Sequence, residues 1–135
     1  MSNRVIAEKY FQALSRGDVD GAVACFAPGA EFVSPMGPLP VPEGVRAYLQ
    51  GFEASFPSAQ IDVTNAIEAG DSVALEAIWL GKHTGPLQLP DGRTIPATNR
   101  EVRAPFAAVF QVRGGAIVRH RAYWDLGGFM AQLTS

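Results

Sequence analysis

The feature that most constrains the fold is a pair of long alternating segments near the C-terminus, joined by Gly114-Gly115. In "EVRAPFAAVFQV" every second residue from Val102 to Val112 is apolar. Successive side chains of a strand point to opposite faces, so this period predicts a strand with one apolar face. The returning segment, "AIVRHRAYW", places four residues on one face: Val118, His120, Ala122 and Trp124. Such a hairpin has to bury its apolar face against another layer.

The first third of the chain predicts the helices of that layer. In "RVIAEKYFQALSRGD" apolar residues from Ile6 to Leu14 recur at helical spacing, and Gly17 ends the segment. Asp18 can then cap a second helix over 19–27, and a third helix is predicted over 43–56. Between them, "AEFVSP" predicts a short strand and "GPLPVP" a proline-rich loop.

A second hairpin is predicted in the middle of the chain. Residues 59–69 and 72–85 read as strands on either side of a turn at Gly70-Asp71, and a turn-rich excursion follows over 86–100. With a last short helix in "LGGFMAQL", the order predicts one α+β domain over 1–135. We expect a conical barrel in which a curved antiparallel sheet wraps around the N-terminal helices and leaves a cavity on its concave side.

The charge balance argues against two classes of partner. The formal net charge is -2, the sequence pI is about 5.6, and the arginines are scattered among acidic residues. We therefore expect no nucleic acid and no membrane surface as partner. No apolar run approaches the roughly 20 residues that span a bilayer. The start of the chain lacks the apolar stretch of a secretory signal, so we expect a cytoplasmic protein.

His120 interrupts the apolar face of the last predicted strand. An unpaired buried polar group costs roughly 1–3 kcal/mol, so this imidazole needs a partner or an open space. It is either a core residue bonded to a backbone carbonyl or to the Tyr10 hydroxyl, or it lines the cavity. In the cavity it can act as a general acid or base, because the ordinary pKa of histidine is about 6.5.

Two further polar residues are candidates near the same cavity. Asp125 stands where the last strand gives way to the last helix, so it either caps that helix or orients His120 and stabilises charge. His83, in "GKHTG", shares strand parity with Trp79 unless Gly81 introduces a bulge. We expect His83 at the cavity rim, bonded to the following loop. The spacing of these residues does not favour a metal site.

Aromatic residues are predicted to form the walls. Each of them is either core packing or part of a lining that suits a planar or polycyclic ligand, with indole N–H groups to orient it. Tyr10 on the first helix is a further candidate for substrate binding. The predicted walls are Trp79, Phe106, Phe110 and Trp124.

Three stretches carry a resemblance to a known family. "GKHTGPL", "PATNREV" and "GGAIVRHRAYWDLGGFMAQL" resemble the SnoaL-like polyketide cyclases of the nuclear transport factor two-like superfamily, which also contains ketosteroid isomerases and limonene epoxide hydrolases. The resemblance covers nearly the whole chain. It implies a conical α+β barrel with a deep apolar pocket, no cofactor in the cyclases and isomerases, and frequent dimerisation through the sheet.

The sequence departs from that family at its catalytic positions. The resemblance places the cyclases' catalytic aspartate at Ala122 and their histidine at Ala108, and both residues here end in methyl groups. The limonene epoxide hydrolase pattern loses its aspartate at the same position. Neither family activity can therefore be copied onto this chain.

Two functions remain open from the sequence. The first is a cofactor-free enzyme of isomerase or lyase type that transfers protons on an apolar, oxygenated, polyketide-like or terpenoid-like compound, with His120 and Asp125 as catalytic residues. The second is a domain that has lost its catalytic pair and serves in ligand binding or dimerisation.

The outer face of the strand over 101–112 is unusually apolar for a surface. Pro105, Ala107 and Val109 alternate there with the inward residues. A patch of this kind is more often covered than exposed to water. We therefore predict a homodimer that forms through the outer face of the sheet.

Overall fold

The computed structural model describes residues 2–89 and 91–134. Its helices are α1 (Asn3–Ser15), α2 (Val19–Val23), α3 (Glu43–Ser55) and α4 (Leu126–Thr134). The strands are β1 (Phe26–Ser34), β2 (Gly37–Leu39), β3 (Gln60–Ala69), β4 (Ser72–Lys82), β5 (Leu87–Gln88), β6 (Thr94–Ile95), β7 (Glu101–Arg113) and β8 (Ala116–Trp124). No helix in the described ranges is long and apolar enough to cross a membrane.

Local signals account for the helix ends. Ser2 caps α1 by accepting a hydrogen bond from the Val5 amide, and Gly17 turns the chain with a φ of 72°, which glycine adopts without strain. Asp18 then caps α2, because its carboxylate accepts from the Gly21 amide at 2.9 Å. The end of α1 at Gly17 and the cap at Asp18 were predicted from the sequence, whereas the cap at Ser2 was not.

Six strands form one curved sheet in the order β2-β1-β8-β7-β4-β3, and β5 and β6 form a separate ribbon. The predicted α+β cone is confirmed. The sheet is open rather than closed, and β1 runs parallel to β8 while the other neighbours are antiparallel. The sequence did not predict the parallel pair, because the two strands lie about 90 residues apart along the chain.

The segment after α2 differs from its predicted helix. That helix was expected to continue to residue 27, but α2 ends at Val23 and β1 begins at Phe26. The Ile117 amide donates a hydrogen bond of 2.8 Å to the Cys25 carbonyl, which draws this part of the chain into pairing with β8. Tertiary pairing thus overrides the local helical preference. The predicted loop over 37–42 likewise contains β2, which pairs with β1.

The alternation predicted for β8 fails at its beginning. The β7–β8 register shifts between Gln111 and Val112, and Ile117 becomes fully buried although it was assigned to the outer face. A bulge of this kind adds a residue to one strand and changes which side chains point inward. From His120 to Trp124 the predicted parity holds.

The buried residues form two clusters at opposite ends of the concave face. The first lies beneath α1 and includes Phe11, Phe26, Val45, Phe110 and Ile117. The second lies beneath the C-terminal parts of α3 and α4 and includes Phe56, Leu87, Val102, Phe129 and Leu133. The candidate site lies between them.

Candidate functional site

A cavity of about 130 Å³ opens between the helices and the concave face of the sheet. An engineered apolar cavity of about 150 Å³ takes up benzene, so this space suits a body about the size of one ring. It is smaller than the polycyclic ligand suggested by the aromatic content of the sequence. Its lining includes Tyr10, Phe32, Ser34, Tyr48, Phe52, Glu53, Trp79, Phe106, His120, Ala122, Trp124 and Phe129.

His120 lies at the inner end of the cavity, in an aromatic box. It pairs in register with Phe32 on one side and Phe110 on the other, and its ring stacks on Phe32 with 4.3 Å between centroids. The side chain is only 4% exposed, and burial lowers its pKa to about 3. Such a ring stays neutral near pH 7 and is a poor proton acceptor.

The two ring nitrogens of His120 have different surroundings. Nδ1 is enclosed and has no hydrogen-bond partner among the described residues. The sequence left open a hydrogen bond to the Tyr10 hydroxyl, but the Tyr10 ring instead meets the imidazole edge to face at 5.6 Å between centroids. The neutral imidazole carries its proton on one of the two nitrogens, so the ring offers one donor and one acceptor.

Three hydroxyl groups complete the polar end of the cavity. They come from Tyr10 on α1, Ser34 at the end of β1 and Tyr48 on α3. Burial, assisted by the nearby Tyr48 phenol, raises the pKa of Tyr10. Burial also raises the pKa of Tyr48 to about 12, although a hydrogen bond from Ser34 acts in the opposite direction. These groups are therefore neutral hydrogen-bonding groups near pH 7.

Aromatic rings form most of the remaining wall. Trp79, Phe106 and Trp124 line the cavity, where the sequence analysis had placed them. Phe129 of α4 packs against both indoles, with centroid distances of 5.9 Å to Trp79 and 5.5 Å to Trp124. The wall of the cavity is therefore rigid and apolar on this side.

Phe110 does not form part of the lining. The side chain is 1% exposed and packs under α1 against Tyr10 and Phe11. The inward parity predicted for Phe110 is correct, but α1 covers this position. The expected position of Phe110 on the cavity wall was therefore wrong, since the path of a helix cannot be read from strand parity.

His83 also lies outside the cavity, behind its wall. The ring is fully buried and stacks on Phe56 with 5.1 Å between centroids. Nδ1 accepts a hydrogen bond of 3.2 Å from the Thr98 amide, which is the expected bond to the following loop. Burial lowers the pKa of His83. The expected position at the rim was wrong, because Phe56 stands between His83 and the cavity.

Asp125 serves as the cap of α4. Its Oδ1 accepts a hydrogen bond of 2.9 Å from the Gly128 amide, and the side chain is exposed to solvent. Asp125 is not among the residues that line the cavity. The structure thus shows the capping alternative for Asp125, and the catalytic role predicted for it stays a prediction. No group of three His, Cys, Asp or Glu side chains that could hold a metal occurs in residues 2–89 and 91–134.

Ala108 and Ala122 face each other across β7 and β8. Ala122 lines the cavity, whereas Ala108 is fully buried beneath it. Ala122 lies between His120 and Trp124 on the inward face of β8, and Ala108 lies opposite it on β7. The floor of the cavity is therefore apolar at the position where the related cyclases are expected to have an aspartate.

Sequence reasoning missed the cavity residues contributed by α3 and β1. Tyr48, Phe52 and Phe56 recur at i, i+4 and i+8 along α3, which is a helical stripe that could have identified this wall. Ser34 and Glu53 gave no comparable signal. Their positions depend on how β1 and α3 approach the sheet.

Comparisons with known proteins agree with this architecture. The sequence model of the SnoaL-like domain matches residues 7–120, and no curated protein matches the chain. IdmH from Streptomyces antibioticus, a candidate polyketide cyclase, is 23% identical, with 100% of both chains covered and a TM-score of 0.81. A candidate SnoaL-like polyketide cyclase from Jannaschia sp. is 20% identical over 98% of this chain and 92% of that chain, with a TM-score of 0.81. An NTF2-like protein from Burkholderia thailandensis is 19% identical over 100% and 98%, with a TM-score of 0.77.

Proposed function

This chain belongs to the SnoaL-like domain family, and we propose that its cavity binds a small, apolar, oxygenated molecule. This proposal starts from the family match over residues 7–120 and from the fold that the chain shares with the solved structures. The proposal is supported by a cavity with apolar walls that has its neutral hydrogen-bonding groups gathered at one end. A ligand of one ring with a carbonyl or hydroxyl oxygen fits this arrangement.

The observation that carries this proposal is the neutrality of the inner end. Tyr10 and Tyr48 present two phenols, which are uncharged near pH 7 at their ordinary pKa of about 10, and burial keeps the His120 imidazole uncharged as well by lowering its pKa to about 3. Neutral donors of this kind favour a neutral oxygen acceptor. None of the described residues that line the cavity is a lysine or arginine, so a carboxylate or phosphate would be buried without a countercharge.

The binding test uses 4-phenyl-2-butanone, which combines one ring with a carbonyl group. The two tryptophans of the chain, Trp79 and Trp124, both line the cavity, so their fluorescence reports on occupancy. We expect saturable quenching of the wild type. Ala122→Leu should weaken binding roughly tenfold or more, because it fills the floor of the cavity.

Ala69→Leu is the matched control, since Ala69 lies at the exposed end of β3. It should leave the affinity unchanged. Quenching that does not saturate in the wild type, or that is the same in Ala122→Leu, would refute binding in this cavity. Circular dichroism of each variant checks that the fold is retained.

A cofactor-free proton-transfer reaction, such as an isomerisation, cyclisation or hydration, is the second candidate function. It is favoured by the same donors, because groups that hold a carbonyl also stabilise negative charge that develops on its oxygen. In this reaction His120 donates a hydrogen bond to the carbonyl oxygen. The Glu53 carboxylate, the only Asp or Glu side chain among the described lining residues, takes the proton from the neighbouring carbon and returns a proton to the product. Enzyme-dependent uptake of deuterium from D₂O next to the carbonyl of the same ketone, followed by NMR, would support it, and its absence would favour binding alone.

We also propose the homodimer through the outer face of the sheet. Val109 is 40% exposed and Tyr123 is 57% exposed on this face, and Ala107 pairs in register with Tyr123. Sedimentation of the wild type at micromolar concentration should give the dimer mass. Val109→Asp should shift the species to monomer, since a charge in an apolar interface is destabilising. A monomeric wild type would refute the dimer.

A further inference from the structure

One charged side chain lies on the wall of the cavity. Among the described lining residues, Glu53 is the only Asp, Glu, Lys or Arg. It is half-buried on the last turns of α3, next to Phe52, which also lines the cavity. Most of the neutral groups of the inner end come from α1, β1 and β8, whereas Tyr48 lies on α3, five residues before Glu53. Because Tyr48 and Glu53 are more than one helical turn apart along α3, the carboxylate and the uncharged donors occupy different positions on the cavity wall.

The backbone of the α1–α2 turn lies directly against the Glu53 carboxylate. Oε1 would be only 2.9 Å from a Cβ built on Gly17, and the φ of 72° at Gly17 also favours glycine. The Ser58 amide donates a long hydrogen bond of 3.4 Å to the same oxygen. The carboxylate is thus held between the α1–α2 turn and the segment after α3.

Glu53 has no cationic partner within the described part of the chain. Nearby acids differ in this respect, because Asp18 pairs with Arg16 at 3.7 Å and Asp20 pairs with Arg46. No ion pair of the described residues includes Glu53. A half-buried carboxylate on the wall of an otherwise uncharged cavity attracts a cation.

We propose that the ligand of this cavity carries a cationic group, such as a protonated amine, which pairs with Glu53 while a neutral oxygen meets the donors of the inner end. This inference rests on the proposed binding function and names the charge of its ligand. An anionic group at the same place would be repelled by the carboxylate. The expected ligand is therefore an amine whose apolar part is about the size of one ring.

The experiment compares three matched probes on the wild type: 4-phenylbutylamine, 4-phenylbutanol and 4-phenylbutyrate. They share a ring and a four-carbon chain and differ in the charge of the end group. Quenching of the two tryptophans gives each affinity. We expect the amine to bind most tightly and the butyrate least tightly, with the amine-to-alcohol ratio decreasing in 1 M NaCl because salt screens the ion pair.

Glu53→Gln removes the charge with little change in shape. The amine-to-alcohol affinity ratio should fall roughly 3- to 10-fold in this variant, as for a partly exposed ion pair. Glu43→Gln is the control, because it makes the same substitution at an exposed position on the same helix. The ratio should stay at the wild-type value there.

The outcomes separate this inference from the proposed function. If 4-phenylbutanol and 4-phenyl-2-butanone both fail to bind the wild type, the proposed function and this inference fail together. If the alcohol binds but the ratio is the same in the wild type, in Glu53→Gln and in 1 M NaCl, binding stands and the cationic ligand is refuted. The salt series uses the wild type alone, so it remains decisive if Glu53→Gln does not fold.

Discussion

The free energy of unfolding is expected to fall by about 3 kcal/mol between pH 7 and pH 4 because of His120 alone. Burial lowers the pKa of this imidazole to about 3 in the folded protein, whereas an unfolded histidine titrates near 6.5. As the pH falls below about 6.5, the unfolded chain takes up a proton that the folded protein does not. The stabilisation is therefore complete above about pH 6.5 and is lost towards pH 3.

The measurement is urea unfolding of the wild type and of His120→Phe at several pH values from 7 to 4. Phenylalanine keeps an aromatic ring against Phe32 but does not titrate. Acidic groups with lowered pKa values, such as Glu31 and Asp91, affect both proteins equally. The difference between the two curves should change by about 3 kcal/mol. Parallel curves would show that His120 is not buried in the way described.

Phe110→Ala is expected to lower the free energy of unfolding by about 3–5 kcal/mol, which is typical of a large aromatic side chain removed from a closed core. The ring is 1% exposed and packs against Tyr10, Phe11 and His120. Its removal leaves an apolar hole beneath α1 that neighbouring atoms cannot fill completely. A shift of the urea midpoint at an unchanged m-value measures this effect.

Phe106→Ala is the matched control, since Phe106 lies four residues before Phe110 on the same strand face but lines the open cavity. Its truncation enlarges a space that already exists, so we expect the smaller loss of stability. It should also change the affinity for 4-phenyl-2-butanone, whereas folded Phe110→Ala should keep it. An equal loss in both variants would contradict the distinction between core and wall.

Much of the architecture could be predicted from local periodicity. The alternation over residues 101–112 and the turn at Gly114-Gly115 correctly indicated the longest hairpin, because strand parity is a property of a few successive residues. The cap at Asp18 and the end of α1 at Gly17 were predicted for the same reason, because each signal lies within a few successive residues. Pairing between β1 and β8 could not be predicted, since no local signal links strands so distant along the chain.

The site was only partly predictable for the same reason. Strand parity identified inward positions such as Trp79, Trp124 and His120, but it could not show that α1 covers Phe110 or that Phe56 separates His83 from the cavity. Glu53 and Ser34 reach the cavity through the approach of α3 and β1. Which inward residues are open to a ligand depends on the elements that cover them.

His120 shows most clearly what each level determines. The sequence by itself determined that an imidazole lies on the concave face of the last strand. Only the tertiary structure decided its chemistry, because Phe32 of β1, Tyr10 of α1 and Phe110 of β7 surround the ring and exclude the water that would stabilise its charged form. A pKa depends on these surroundings, and they are assembled from four segments that meet only in the folded protein.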